Sequence, residues 1–197
     1  MESSGKVSQL LEQMSGGARE AESRLMDVVY PELRRMAIRY MRNERTGHSL
    51  QATALVNEAY IRMVGQKDRG FKNRSHFFAA AASVMRLILV DYARQKRASK
   101  RDGKRIRVEM TDIFVISEDR LDEVLEIDAA LERLAARDAR QCKIVELRFF
   151  AGLTEDEVAE VLGVAPRTVK RDWSVAKAWL RGELYPIGVA ATTGDCR

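Results

Sequence analysis

The sequence predicts an all-α protein made of two small helical domains joined by a flexible, charged linker. Apolar residues recur at helical spacing, and only three prolines occur in 197 residues. The charge changes sign in mid-chain, because residues 86–107 hold nine basic and two acidic residues and residues 109–128 hold eight acidic and one basic. We therefore predict an N-terminal helical domain, a linker, a C-terminal helical domain and a disordered tail over residues 1–97, 98–127, 128–184 and 185–197.

The N-terminal domain is predicted to contain four helices, over residues 18–29, 31–42, 53–64 and 75–97. Pro31 is expected to begin the second helix, since the first helical position does not need the missing N–H. Residues 43–52 are expected to form a polar loop, and Thr53 to cap the third helix. One side of the fourth helix is predicted to be core, through Phe78, Ala81, Met85, Ile88 and Tyr92.

The third helix carries an apolar residue on its polar side. Most of its apolar residues fall on one half of a helical wheel, but Ile61 lies between Asn57 and Glu58 on the other half. An isolated exposed isoleucine is common on protein surfaces. An apolar centre with a polar rim is also typical of a protein–protein contact, and the pattern leaves both interpretations open.

The segment 71–97 combines aromatic, amide and cationic side chains in a way that suits single-stranded nucleic acid. The loop at residues 72–77 is predicted to hold an unstacked base, and the basic residues of the following helix to bind the backbone. Phe78 is expected in the core, and Phe71 and Phe77 fit either role. The candidate residues are Lys72, Asn73, Arg74, His76, Phe77, Arg86, Arg94 and Arg97.

A helix-turn-helix is predicted between residues 154 and 183. Thr154 and Glu157 have the spacing of a capping box, Gly163 suits a left-handed helix end, and Pro166 suits the first position of the second helix. Ala165 stands at the N-cap of that second helix, where alanine is a poor cap. Ahead of the motif, the predicted core residues are Leu131, Leu134, Ile144, Val145, Leu147 and Phe149.

The second helix of this motif is cationic on one side. Its apolar side is formed by Val169, Trp173, Ala176 and Leu180. The opposite arc of roughly 120° contains no acidic residue, unlike an ordinary solvated face, in which the signs mix. We predict that this helix enters a DNA major groove. The candidate residues are Arg167, Thr168, Lys170, Arg171, Ser174, Lys177 and Arg181.

Other classes of function find no support in the sequence. No apolar run reaches 18 residues, and the N-terminus lacks a signal-peptide core. Cys142 and Cys196 form neither a disulfide framework nor a metal motif, and Cys142 is expected to be a buried apolar residue. No nucleophile–base pair and no glycine-rich phosphate loop is present. We therefore expect a cytoplasmic protein that is not an enzyme and binds no metal or other cofactor.

These features together resemble a bacterial sigma-70 family factor of the extracytoplasmic function (ECF) group, over residues 8–183. The run Leu55-Val56-Asn57-Glu58-Ala59-Tyr60-Ile61-Arg62 is similar to the helix of that family that docks on the clamp coiled coil of core RNA polymerase. The resemblance implies that residues 71–97 melt and read the −10 promoter element. It also implies that residues 128–183 read the −35 element and contact the polymerase flap. The implied polymerase-binding residues are Leu55, Asn57, Glu58, Ile61 and Arg62.

The resemblance implies core RNA polymerase and promoter DNA as partners, no cofactor, and a sigma factor as the function. An anti-sigma factor remains open as a further partner. The chain departs from the family pattern at Ala54 and Asn57, where the family commonly has Asp and Gln. Two alternatives stay open on the sequence: a stand-alone helix-turn-helix regulator, and a sigma-like protein that sequesters polymerase.

Overall fold

The computed structural model describes residues 2–15, 19–40, 48–64, 70–102 and 118–185. Within these ranges there are eight α-helices, one π-helical turn and no strand, so the all-α prediction is confirmed. The helices are α1 (Glu2–Ser15), α2 (Arg19–Tyr40), α3 (His48–Val64), α4 (Arg74–Asp102), α5 (Glu118–Arg137), α6 (Ala139–Val145), α7 (Glu155–Leu162) and α8 (Pro166–Leu184). The π-helical turn, Glu146–Ala151, continues α6. We call α1–α4 the N-terminal unit and α5–α8 the C-terminal unit.

Helix α2 is one helix, where two had been predicted on either side of Pro31. The proline lies inside it, although an interior proline costs about 3 kcal/mol. The apolar stripe continues through the proline, because Leu25, Val29, Leu33 and Met36 are all buried. Each such side chain contributes about 1.5–3 kcal/mol when buried, so the continuous buried face outweighs the lost hydrogen bond.

Helix α3 begins at His48, five residues before the predicted cap at Thr53. The Thr53 hydroxyl instead lies 3.2 Å from the Tyr30 hydroxyl of α2. The predicted polar loop over residues 43–52 is therefore helical from His48 onwards, and its first part lies outside the described residues.

The predicted linker is helical at both ends. Helix α4 extends to Asp102 through a stretch in which Ala98, Lys100 and Arg101 have good helix propensity, and α5 begins at Glu118, where acidic residues favour a helix N-terminus. The centre of the linker, residues 103–117, lies outside the described residues, as does the predicted tail from residue 186 onwards.

Helix α4 is the apolar centre of the N-terminal unit. Its segment Arg74–Ala98 is the one helical segment among the described residues that is long and apolar enough, by length and composition, to cross a membrane. However, 67% of its apolar stretch is buried within the protein, as in the core helix of a helical bundle. The predicted core side of α4 is confirmed, because Phe78, Ala81, Met85, Ile88 and Tyr92 are all buried.

The buried residues of the two units form one continuous apolar cluster. In the C-terminal unit, five of the six predicted core residues are buried: Leu131, Leu134, Ile144, Val145 and Leu147. Tyr40 at the end of α2 stacks on Phe150 of the π-helical turn, with ring centroids 4.8 Å apart. The two units are thus packed directly against each other.

The prediction that Phe149 is a core residue was wrong. Its side chain is 58% exposed, whereas the neighbouring Phe150 is 7% exposed. Phe149 lies four residues after the buried Val145, so in a regular α-helix both side chains would face the core. Because the chain forms a π-helical turn, with i→i+5 hydrogen bonds, the residue five positions on faces inward instead.

Candidate nucleic-acid interface

The helix-turn-helix has the local structure that its sequence predicted. The Thr154 hydroxyl accepts a hydrogen bond from the Glu157 N–H at 3.2 Å, and the Glu157 carboxylate accepts one from the Thr154 N–H at 2.8 Å. Gly163 ends α7 in the left-handed region, at φ 65°. Pro166 opens α8, and Ala165 makes no side-chain capping bond. The capping box, the glycine end and the proline start are all confirmed.

The apolar sides of α7 and α8 pack together as expected. Val158, Ala159, Val169 and Ala176 are buried, and Trp173 is half-buried. The Lys177 ammonium lies 5.2 Å from the centre of the Trp173 ring, which is within cation–π range. This packing orients α8 so that its cationic side is solvent-exposed.

Six of the predicted residues lie on the exposed surface of α8: Arg167, Lys170, Arg171, Ser174, Lys177 and Arg181. All of them except Ser174 are cationic. Thr168, the seventh, is half-buried. Among the described residues, only Arg171 of these cations has an ion pair, with Asp172. The other four are free to meet phosphates.

Asp172 is a functional candidate that the sequence reasoning missed. It is buried, and it accepts hydrogen bonds from Arg140 Nε at 2.8 Å and Arg171 Nε at 3.0 Å. The carboxylate thereby ties α6 to α8 and orients the exposed Arg171 guanidinium. The available signal was an acidic residue on the inward side of an otherwise basic helix, next to Trp173.

The aromatic residues at the start of α4 and just before it are part of the core. Phe77 is fully buried and packs edge-on against Phe71 and Phe78, with centroids 5.3 and 5.4 Å apart. The prediction that Phe77 contacts DNA is therefore corrected, because its ring is already covered by protein on both sides. Phe71 is half-buried, so it too belongs mainly to this packing.

Asn73 caps α4, since its side-chain oxygen accepts a hydrogen bond from the His76 N–H at 2.9 Å. Its amide nitrogen donates to Glu160 of α7 at 2.7 Å. Of the remaining residues predicted around this loop, Lys72 is exposed and His76 is half-buried. The structure therefore gives Asn73 a capping role that the prediction did not include.

The arginines predicted to grip DNA from α4 are paired with carboxylates of the C-terminal unit. Arg86 bonds to Glu146 at 2.6 Å and to Asp128 at 3.3 Å, and Arg94 reaches Asp128 at 3.1 Å. Burial raises the pKa of Asp128 above its usual value, while the charges of Arg86 and Arg94 lower it.

The other two arginines of α4 that were predicted to bind DNA differ from each other. Arg74 bonds to Glu157 of α7 and to Glu32 of α2. Arg97, by contrast, is exposed and has no ion pair among the described residues.

The α3 surface predicted to bind polymerase divides into buried and exposed residues. Leu55 is fully buried, so its assignment to a docking surface is corrected: it packs in the core. Ile61 is 66% exposed, and Asn57, Glu58 and Arg62 surround it on the polar side. We call these four residues the α3 surface.

The α3 surface continues onto α4. The Nε atom of Arg62 lies 2.7 Å from the carboxylate of Glu58, one turn away, and its Nη1 atom lies 3.6 Å from the carboxylate of Asp91 of α4. Leu87 lies one turn before Asp91 and is 52% exposed. Two exposed aliphatic residues on adjacent helices therefore flank a small ion-pair network.

No group of His, Cys, Asp and Glu side chains suited to a metal ion occurs in the described part of the chain. Cys142 is buried, as predicted, and burial raises the pKa of its thiol. A raised pKa keeps the thiol protonated and poorly nucleophilic.

Comparison with known proteins adds one finding. The model of the ECF sigma factor family matches residues 4–185 of the chain. That match spans both units and the segment between them, and the family is one of transcription initiation factors and not of enzymes. No curated protein matches the chain.

Proposed function

We propose that this chain, which belongs to the ECF sigma factor family, binds core RNA polymerase and directs it to promoters through their −10 and −35 elements. The observation that carries the proposal is the exposed cationic arc of α8, the second helix of a helix-turn-helix whose first helix is capped at both ends. Such a helix suits the major groove, where side chains reach both base edges and phosphates.

The two units have separate tasks in this proposal. Helix α8 binds the −35 duplex, with Arg167, Lys170, Arg171, Lys177 and Arg181 near phosphates and base edges. The N-terminal unit binds the melted −10 strand through Lys72, Asn73, Arg74, His76 and the arginines of α4. Phe77 is excluded from this set, because it is buried.

The α3 surface is the proposed contact with the clamp of core polymerase. An aliphatic side chain that is two-thirds exposed at the centre of a polar rim fits the anatomy of a protein–protein contact. The polymerase supplies the chemistry, so the protein itself acts without a cofactor, in the cytoplasm. The C-terminal unit is proposed to meet the polymerase flap.

Run-off transcription with purified core polymerase, this protein and a library of genomic fragments tests the proposal. We expect discrete new transcripts that share a two-part upstream motif. Core binding without transcripts would instead indicate a polymerase-sequestering protein. Tight, specific DNA binding without any core binding would indicate a stand-alone regulator.

Replacing Arg171 with Ala is expected to weaken binding to the −35 duplex. Loss of one phosphate contact would reduce the slope of log affinity against log salt by about 1. The measurement is fluorescence anisotropy of a labelled duplex at several salt concentrations. Arg24→Ala, which removes an exposed arginine of α2, is the charge-matched control. An unchanged slope for Arg171→Ala would contradict the assignment.

Replacing Asp172 with Asn is expected to lower sequence discrimination without lowering affinity for unrelated DNA. Arg140 and Arg171 donate to different oxygens of the Asp172 carboxylate, and the amide of Asn retains only one acceptor oxygen. Arg171 therefore loses its charge-assisted bond or shares the remaining oxygen with Arg140, and the change also removes one negative charge. The less firmly held Arg171 guanidinium still neutralises a phosphate but no longer points steadily at a base edge, so the ratio of affinities for the −35 duplex and a scrambled duplex should fall by about tenfold, the value of a good base contact. Asp156→Asn makes the same charge change at an exposed position of α7. A ratio that falls equally in both variants would show that Asp172 has no positioning role.

A further inference from the structure

We propose that Trp173 positions Lys177 for contact with a DNA phosphate, and that Arg148 supports the Trp173 ring. The inference rests on the proposed function, because it takes α8 to be the helix that binds the −35 duplex. It adds two positioning residues to that site. The sequence placed Trp173 only on the apolar side of α8 and gave Arg148 no role.

The first observation is the contact between Lys177 and the Trp173 ring. The ammonium lies 5.2 Å from the ring centre, and Lys177 itself is exposed. Trp173 belongs to the apolar side of α8 but is only half-buried. Residues four apart lie about 40° apart around a helix axis. The indole therefore reaches from the packed side of α8 to the nearest edge of its cationic arc.

The second observation is that Arg148 contacts the same ring. Its guanidinium carbon lies 5.9 Å from the ring centre, and its side chain is only 26% exposed. The guanidinium also donates to the Leu153 carbonyl at 2.8 Å, and a second nitrogen lies 3.8 Å from the Glu155 carboxylate. Arg148 therefore connects the π-helical turn both to the start of α7 and to the ring on α8.

The Nε atom of Arg148 distinguishes this arrangement from an ordinary ion pair. It is the one buried side-chain nitrogen or oxygen without a hydrogen-bond partner in the described part of the chain. An arginine that pairs with a carboxylate commonly uses two parallel N–H groups at about 2.7–2.9 Å, whereas Glu155 lies 3.8 Å away. A buried donor without a partner costs free energy. The ring contact and the bond to Leu153 are the interactions that offset this cost.

An aromatic partner suits a phosphate-binding lysine better than a carboxylate would. The ring face attracts the ammonium through its quadrupole, yet the ring carries no net charge. Lys177 therefore keeps its full charge for a phosphate, and an ammonium with three donors keeps N–H groups for it as well. Arg171 differs, because its guanidinium already bonds to the Asp172 carboxylate.

Holding the lysine in place before DNA arrives reduces the entropy that is lost on binding. A lysine side chain in solvent samples many rotamers, and immobilising it at an interface is unfavourable. Because the ammonium already lies over the ring, part of that loss has occurred on folding. Removal of the ring should therefore weaken binding about threefold, within the range expected for ordering one side chain, although Lys177 would still reach its phosphate.

The experiment is a double-mutant cycle between Trp173→Leu and Lys177→Ala. Leucine keeps an apolar side chain with good helix propensity, so that α8 remains packed. The probe is a fluorescent, mixed-sequence duplex of about 20 base pairs, or two turns of B-DNA, because a phosphate contact does not depend on sequence. Lys177→Ala should lower the affinity about threefold more in the wild-type background than in Trp173→Leu.

The control cycle uses Lys170→Ala in place of Lys177→Ala. Lys170 is an exposed cation of the same arc, and within the described residues it has no ring contact. The effects of Lys170→Ala and Trp173→Leu should be additive. If Trp173→Leu disturbed α8 as a whole, the two cycles would show the same coupling, and that result would overturn the inference.

The salt dependence of binding separates positioning from direct contact. Lys177→Ala should reduce the slope of log affinity against log salt by about 1, because one phosphate contact is lost. Trp173→Leu should lower the affinity but leave the slope unchanged, because Lys177 still neutralises its phosphate. A slope that also falls by about 1 in Trp173→Leu would contradict the positioning role.

Nuclear magnetic resonance of isotope-labelled lysine tests the ring contact in the free protein. The ring current of Trp173 should shift the ε-methylene protons of Lys177 upfield, and the shift should disappear in Trp173→Leu. Arg148→Met keeps an unbranched side chain but removes the guanidinium, so the ring loses its support and the shift should become smaller. The protons of Lys170 should not change in either variant.

Two results of this spectrum would contradict the inference. An ordinary position of the Lys177 protons in the wild-type protein would overturn it, because the ring would not hold the ammonium in solution. An unchanged shift in Arg148→Met would contradict the supporting role of Arg148.

Failure of this inference and failure of the proposed function give different results. If wild-type protein supports run-off transcription while the two cycles show equal coupling, the sigma function stands and the positioning role is wrong. If no transcript forms and no duplex is bound, the proposed function fails, and the lysine spectrum still reports whether the ring holds Lys177.

Discussion

Replacing Ile61 with Asp is expected to abolish binding to core RNA polymerase while leaving the fold intact. The side chain is 66% exposed in the free protein, so the substitution removes little buried area from the folded state. In the complex, burial of isoleucine contributes about 1.5–3 kcal/mol, and a carboxylate placed in the same dehydrated site adds a cost of its own. A total near 4 kcal/mol corresponds to roughly a thousandfold loss of affinity.

The matched control is Ile38→Asp. Ile38 is also an exposed isoleucine, at 38%, but it lies on α2 outside the α3 surface. Affinity for core polymerase is measured by titration with a fluorescently labelled protein, and the helical content of each variant by circular dichroism. Wild-type binding by Ile61→Asp would show that the docking surface has been misplaced. Equal losses in both variants would point to a general effect of charge.

Local features of this fold were predictable because they depend on neighbours in the sequence. The capping box at Thr154, the glycine end at Gly163 and the proline start at Pro166 each involve residues within one turn of each other. The exposed position of Ile61 followed from the 3.6-residue repeat of α3 in the same way. Such features survive folding because tertiary packing does not oppose them.

Features that depend on packing were predicted less well. Pro31 marks a helix start in sequence terms, but the buried face on both sides of it keeps α2 continuous. Phe77 was a plausible base-stacking residue, and only its complete burial in the folded protein shows that it belongs to the core. Burial of a side chain depends on elements that its own segment does not contain.

The ion pairs between the N-terminal and C-terminal units could not be predicted from the sequence. The partners of Arg74 and Arg86 in the C-terminal unit stand 83 and 60 residues away along the chain. A cation on a helix surface looks the same in sequence whether it meets a carboxylate or a phosphate.

Replacing Phe150 with Ala is expected to lower the free energy of unfolding by about 3–5 kcal/mol. The ring is buried and stacks on Tyr40, and Phe149 packs edge-on against it with centroids 5.0 Å apart. Truncation would leave a cavity between α2 and the π-helical turn that neither helix can close without moving. Urea denaturation followed by circular dichroism measures the change.

Phe149→Ala is the control, because it removes the same ring from the adjacent position. Phe149 is 58% exposed, so its loss should change stability by less than about 1 kcal/mol. A regular α-helix through this segment would put Phe149 in the core and reverse the order of the two effects. The sign of the difference therefore tests the π-helical turn itself: a larger loss for Phe149→Ala would mean that the turn is α-helical in solution. An α-helical turn would also point Phe150 away from Tyr40, which would then lose its stacking partner.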